Sequence, residues 1–89
     1  MRAVITVIGK DTVGILARVS ALCADNDVNI LDVTQSVLQD MFAMVTLVDV
    51  AAVDDDFAAF AEQMKVLGEK EGLVIHVMHE EIFNSMHRI

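Results

Sequence analysis

The N-terminal third of this chain of 89 residues constrains the fold more than any other stretch. Residues 2–8 are apolar on both alternating faces, which is typical of a strand that is covered on both sides. The strand ends at Gly9, and Gly14 follows five residues later, where an amphipathic run, 15–24, begins. The pattern predicts a strand, a short loop and a helix. The first N–H groups of that helix are suited to bind an anion or a carboxylate.

Periodicity and turn residues predict four more elements after this segment, in the order strand, strand, helix, strand. They are a strand at 28–38, a strand at 41–50 across a turn at Gln39-Asp40, a helix that begins at Asp54–Asp56 and ends at Gly72, and a strand at 73–78. The predicted fold is therefore α+β, a ferredoxin-like βαββαβ domain with a four-stranded antiparallel sheet and two helices on one face. The other face of the sheet is left open.

A short tail, 79–89, follows the predicted domain, 1–78. Its apolar residues recur at helical spacing: Ile82, Phe83, Met86 and Ile89. This pattern predicts a short amphipathic helix, which needs an apolar surface to pack against. We expect that surface to be the domain itself or a dimer partner.

The charge of the chain limits its partners. The formal net charge is −8, and only six residues are Lys or Arg, whereas binding to nucleic acid or to an anionic membrane depends on clustered cations. The longest apolar stretch, 41–53, is interrupted by Thr46 and Asp49 and is too short to span a bilayer. We expect a cytoplasmic protein that binds neither nucleic acid nor membrane.

The apolar content points to self-association. Apolar residues make up 55% of the sequence, more than a lone small domain easily hides, so a second apolar surface and a homodimer are expected. Cys23, the single cysteine, fits a core position. No nucleophile–base pair or close carboxylate pair is evident at helical or strand spacing, so no enzyme is predicted.

The histidines raise the alternative of a metal site. His76, His79 and His87 have Glu80 and Glu81 nearby, but strand and helix spacing separates these groups too widely for one ion. They are interpreted as surface or interface residues. No metal and no cofactor is predicted.

Two motifs resemble the ACT domain, a small regulatory module whose members commonly bind amino acids at a dimer interface. They are Gly9-x-Asp11-x-x-Gly14-Ile15-Leu16 and Val28-Asn29-Ile30. The whole chain, including its ending 79–89, is also similar to a family of small stand-alone ACT domains of unassigned function. Many ACT domains carry proline where this chain has Val13, and most are joined to a metabolic enzyme, whereas no enzyme segment is present in this sequence.

The resemblance implies a role for five residues. Gly14 would let the backbone approach the ligand, and Asp11 would help to hold it, so that the segment 11–15, with Ile15, lies near Asn29 and Ile30 of the neighbouring subunit. Each role has a structural alternative. Gly14 can instead serve a tight strand-to-helix contact, Asp11 or Thr12 can be the N-cap of the helix, and Asn29 can satisfy a local turn.

The leading hypothesis is a non-enzymatic, dimeric regulatory protein that binds a small molecule, most plausibly an amino acid. The alternative is an interaction module without a small ligand, whose tail docks onto a separate enzyme or transporter. A polar stripe on the second strand, formed by Asp32, Thr34 and Ser36, is interpreted either as the lining of an interface pocket or as a solvated sheet face.

Overall fold

Strands and helices alternate as βαββαβα in the computed structural model, which describes residues 1–10 and 14–86 apart from the side chain of Leu38. The strands are β1 (Arg2–Gly9), β2 (Asn29–Leu38), β3 (Met41–Asp49) and β4 (Val74–His79). The helices are α1 (Ile15–Asp25), α2 (Phe57–Glu71) and α3 (Glu80–Met86), and a 3-10 turn, Ala51–Asp56, leads into α2. The strands form one antiparallel sheet in the order β2-β3-β1-β4, which confirms the predicted ferredoxin-like fold.

One face of the sheet is covered by α1 and α2. On β1 this covered face consists of Ala3, Ile5 and Val7, all fully buried, and on β3 it includes Met44 and Val48 beside them. The helices bury a row of apolar residues onto this face, namely Ile15, Val19 and Cys23 from α1 and Phe60 and Met64 from α2. Helix α1 packs over β2 and α2 packs over β4. The core is therefore a single layer between sheet and helices.

The second face of the sheet is only partly covered. Helix α3 packs against β1 and β4, and Val4 at that end of the open face is buried. At the far end of the same strand, Ile8 is exposed. Within a single chain, β1 is therefore covered on both faces at one end and on one face at the other.

The start of α1 differs from the prediction. Its N-cap is Gly14, which has no side chain to donate or accept, and not Asp11 or Thr12. The helix begins one residue after Gly14 because that glycine adopts a left-handed conformation, with φ of 75°, from which its carbonyl accepts a hydrogen bond from Arg18 N–H at 3.1 Å. Asp11 and Thr12 lie outside the described residues.

Strand β2 contains an irregularity that the alternation of the sequence did not predict. The register shifts between Ile30 and Asp32, so Leu31 is an extra residue and half-exposed. Ile30, rather than Leu31, packs against the core. The turn at Gln39-Asp40 and the left-handed Gly72 at the end of α2 are found as predicted.

Candidate functional site

The predicted anion-binding site lies between the end of β1 and the start of α1. Arg18 N–H is the first amide of α1 to donate within the helix, so the preceding amides, from Ile15 to Ala17, have no acceptor in the helix. Gly14 is exposed, and its φ of 75° is a conformation that costs other residues about 1–2 kcal/mol. Gly14 itself is therefore accessible, and a glycine is required there by conformation rather than by tight packing.

Two cationic side chains lie near this helix start, each paired with a carboxylate. A Cβ on Gly14 would lie 3.5 Å from Nη1 of Arg18, and the same Nη1 forms an ion pair with Oε1 of Glu71 at 2.7 Å. Lys10, at the end of β1, pairs with Asp40 at 3.7 Å. Two of the six cationic side chains of the protein therefore lie at this end of the sheet. The positive end of the α1 dipole lies there as well.

Arg18 is a residue that the sequence analysis did not assign to the site. Its position four residues after Gly14 is the signal that could have revealed it, because residues four apart lie on the same face of a helix. An arginine on the polar face of an amphipathic helix is ordinarily a solvated residue. The guanidinium of Arg18 instead lies against the exposed glycine.

Ile15 is buried at the start of α1. The whole residue, backbone included, is 2% exposed, and it belongs to the core. Asp11, the predicted polar contact in the loop, lies outside the described residues.

Asn29 and Ile30 lie at the opposite end of the sheet from Gly14. Asn29 pairs with Asp49, which pairs with Arg2 at the start of β1, whereas Gly9 ends that strand. The seven residue steps between Arg2 and Gly9 span about 23 Å. Within one chain the two predicted halves of the site are therefore far apart, although Asn29 itself is exposed and available to a neighbour.

A second concave region lies between α1 and α2 on the outer surface of the helix layer. The two helices are linked at one end by the Arg18–Glu71 ion pair and at the other by Asn26, whose Nδ2 donates to Gln63 Oε1 at 2.9 Å. Between these links is a groove of about 530 Å³ with an apolar floor formed by Ala21, Leu22, Val66 and Leu67. No local sequence pattern predicts this groove, because the groove forms only where two helices distant in sequence pack side by side.

Two further side chains of potentially reactive type, Cys23 and His79, make packing contacts within the fold. Burial raises the pKa of the Cys23 thiol from 9.0 to about 11, which is the opposite of what a nucleophilic cysteine needs. His79 stacks on Phe57 with ring centroids 4.1 Å apart. Among residues 1–10 and 14–86, no three His, Cys, Asp or Glu side chains are grouped as a metal site, and no helix there is long and apolar enough to cross a membrane.

Comparison with known proteins gives matches over nearly the whole chain. Residues 2–78 match the family model of the ACT domain. A UPF0237 protein of Clostridium perfringens is 46% identical over 89 residues, which is all of both chains. A UPF0237 protein of Methanocaldococcus jannaschii is 43% identical over 88 residues, or 99% of this chain and 98% of that protein. An ACT domain protein from Streptococcus pneumoniae has a solved structure with a TM-score of 0.82 at 35% identity, over 93% of each chain.

Proposed function

Because the chain belongs to the ACT domain family, we propose that it is a non-enzymatic regulatory protein that binds an amino acid between two copies of itself. The observation that carries this proposal is the start of α1, where the exposed, left-handed Gly14 lies beside the guanidinium of Arg18. Amides at a helix start and a nearby cation are suited to a carboxylate. An α-amino acid brings that carboxylate to one end of the site and needs acceptors for its ammonium at the other.

The acceptors come from the second copy. Strand β2 is an edge strand of ten residues, and an exposed edge offers unpaired backbone groups to another chain. If two β2 strands pair in an antiparallel manner, the beginning of one, with Asn29 and Ile30, comes beside the end of the other. That end lies in the same row as Gly9, because Gly9 pairs with Phe42 and Phe42 pairs with Val37.

This pairing would bring the partner's Asn29 to the end of the sheet at which α1 of the first chain begins, with β2 and β3 between Asn29 and β1. The partner's Asn29 would accept a hydrogen bond from the ligand ammonium through Oδ1, while the backbone of the exposed Gly14 and Leu16 would bind the carboxylate. Asp11 would add a second acceptor. Val37, which is 70% exposed beside this end of β2, would contact the ligand side chain or the partner.

Ligand binding in such a site would regulate by stabilising one arrangement of the dimer. A ligand that touches both subunits binds that arrangement more tightly than any other and therefore shifts the population towards it. A target protein that recognises one arrangement would then respond to the concentration of the amino acid.

A thermal-shift screen against the amino acids tests the proposal, because a ligand at 100 times its dissociation constant stabilises the folded protein by about 2.7 kcal/mol. We expect a selective hit that is lost in Gly14→Leu and in Asn29→Ala. Gly72→Leu is the matched control for the glycine variant. It imposes the same strain, at φ of 72°, but has open space around the new side chain and lies outside the predicted contacts.

A hit that persists in Gly14→Leu would contradict the proposed site. Absence of any hit at millimolar concentrations would contradict amino-acid binding and favour the interaction module instead. The exposure of Ile82 and Met86 on α3 supports that second candidate, in which the tail binds an enzyme or a transporter.

A further inference from the structure

The open face of the sheet has one covered end and one bare end. Val4 lies between Leu47 and Met78 near α3 and is 3% exposed, whereas Ile8 on the same strand and the same face is 44% exposed. We call the uncovered part the bare patch. It comprises Met41, Ala43 and Val45 of β3, Thr6 and Ile8 of β1, and Val74 and His76 of β4.

The bare patch has the layout of a protein interface. Its central strands present apolar side chains, with Met41 and Val74 exposed beside Ile8. The adjoining edge strand β2 turns the polar residues Asp32, Thr34 and Ser36 to the same face. An apolar centre with a polar rim is typical of surfaces that bind another protein.

Charge separates this face from the helix layer. Eight of the 14 carboxylates lie on α1, α2 and their connections, namely Asp25, Asp27, Asp54, Asp55, Asp56, Glu62, Glu69 and Glu71. The bare patch itself contains neither Asp nor Glu. The carboxylates on this side lie at its margins, Asp32 on β2 and Glu80 and Glu81 at the start of α3. A second copy also carries a net charge of −8, so a contact centred on the carboxylate-free patch limits the repulsion between the two chains.

Helix α3 adds a second apolar surface on the same side of the protein. Ile82 and Met86 are more than half exposed on α3, which packs beside the covered end of β1 and β4. A two-fold axis that lies in the plane of the contact, perpendicular to the strands, would put α3 of each copy over the bare patch of the other. Such an isologous contact closes on itself and leaves neither patch exposed.

We infer that the open sheet face is an interface with a second copy of this chain, in which α3 of each copy covers the bare patch of the other. The two longer extents of the molecule, 37 and 34 Å, give a face large enough for the roughly 800 Å² per partner of a standard interface. This contact is separate from the β2 edge and needs no ligand. Together the two contacts would make a tetramer with two kinds of two-fold axis.

Sedimentation equilibrium over a concentration series tests the inference, using the full chain without amino acids. Ile8→Lys and Val74→Lys place an ammonium in the bare patch, and we expect each to raise the dissociation constant of the face contact by at least about tenfold. Each variant also lowers the net negative charge, which by itself favours association. Weaker association can therefore be assigned to the loss of apolar contact.

Two lysine variants elsewhere serve as controls. Val66 is a valine like Val74 and is 44% exposed like Ile8, but it lies on the helix layer. We expect Val66→Lys to associate like the unmodified protein. Val37→Lys disrupts the proposed β2 edge contact. Circular dichroism confirms that each variant is folded before its mass is compared.

The outcomes separate this inference from the proposed ligand site. A tetramer that becomes a dimer in Ile8→Lys and in Val37→Lys supports both contacts. A dimer that dissociates in Ile8→Lys and Val74→Lys but not in Val37→Lys supports the face contact and contradicts the edge contact. The inference is overturned if the protein is monomeric throughout, or if Ile8→Lys and Val74→Lys both associate like Val66→Lys.

Discussion

Ile5 and Ile8 are the same residue type on the same strand, yet they have opposite surroundings. Ile5 faces α1 and α2 and is fully buried, whereas Ile8 faces the open side and is 44% exposed. Three positions along a strand reverse the face. The comparison shows that the apolar residues of β1 serve two purposes, since one face stabilises the fold of a single chain and the other is available for association.

The two faces also differ in what covers them. The covered face is packed by long helices that contribute Val19, Phe60 and Met64. Within residues 1–10 and 14–86, the open face is covered only by α3, a helix of seven residues, which reaches Val4 and not Ile8. Stability should therefore depend strongly on the covered face and weakly on the bare patch.

The largest expected effect comes from truncating one isoleucine on each face. Ile5→Ala should lower the free energy of unfolding by about 2–5 kcal/mol because it leaves a cavity in a packed core. Ile8→Ala should cost less than about 1 kcal/mol when measured in dilute protein, where association contributes least. Urea unfolding of both variants gives the difference, and equal losses would show that the two faces are packed alike.

Cys23 should make stability on the covered face depend on pH. Burial raises the pKa of its thiol to about 11, so the folded state holds its proton at pH values where the unfolded thiol, with a pKa of 9.0, has lost it. The stabilisation is fully present below pH 9 and is lost as the pH rises towards 11. The loss is about 2 to 3 kcal/mol.

Urea unfolding between pH 8 and 11 measures this effect, with Cys23→Ala as the control. The variant has no thiol, so its stability should fall less over the same range. Curves that run parallel for the two proteins would show that the thiol is not buried in the way described.

Local patterns predicted the fold because each depends on neighbours in sequence. The apolar spacing of α2, its stop at Gly72 and the turn at Gln39-Asp40 are set by residues within a few positions of one another. The motif around Gly14 likewise located the helix start. Strand order and the single covered face then followed from the sequence of elements.

Features that depend on distant packing could not be predicted in this way. The bulge at Leu31 arises from the pairing of β2 with β3. The approach of Arg18 to Gly14 is local in sequence, but it depends on the conformation of the side chain. The separation of Gly14 and Asn29 is a different case. Strands β1 and β2 are both antiparallel to β3 and therefore parallel to each other, so the end of β1 and the start of β2 lie at opposite ends of the sheet. A site that uses both needs two chains.

The smallest expected effect concerns two threonines that again divide the faces. Thr46 is fully buried on the covered face, next to Ile5, and its Oγ1 has no hydrogen-bond partner in the described part of the chain. A buried hydroxyl without a partner costs free energy that an apolar group of the same shape does not. Thr46→Val should therefore raise the free energy of unfolding by about 1 kcal/mol.

Thr6→Val, on the half-buried open face, should leave the free energy of unfolding nearly unchanged, because water can reach that hydroxyl. Thermal unfolding of the pair decides the point, and a destabilised Thr46→Val would mean that the hydroxyl is hydrogen-bonded in solution and that the covered face is less dry than its packing indicates.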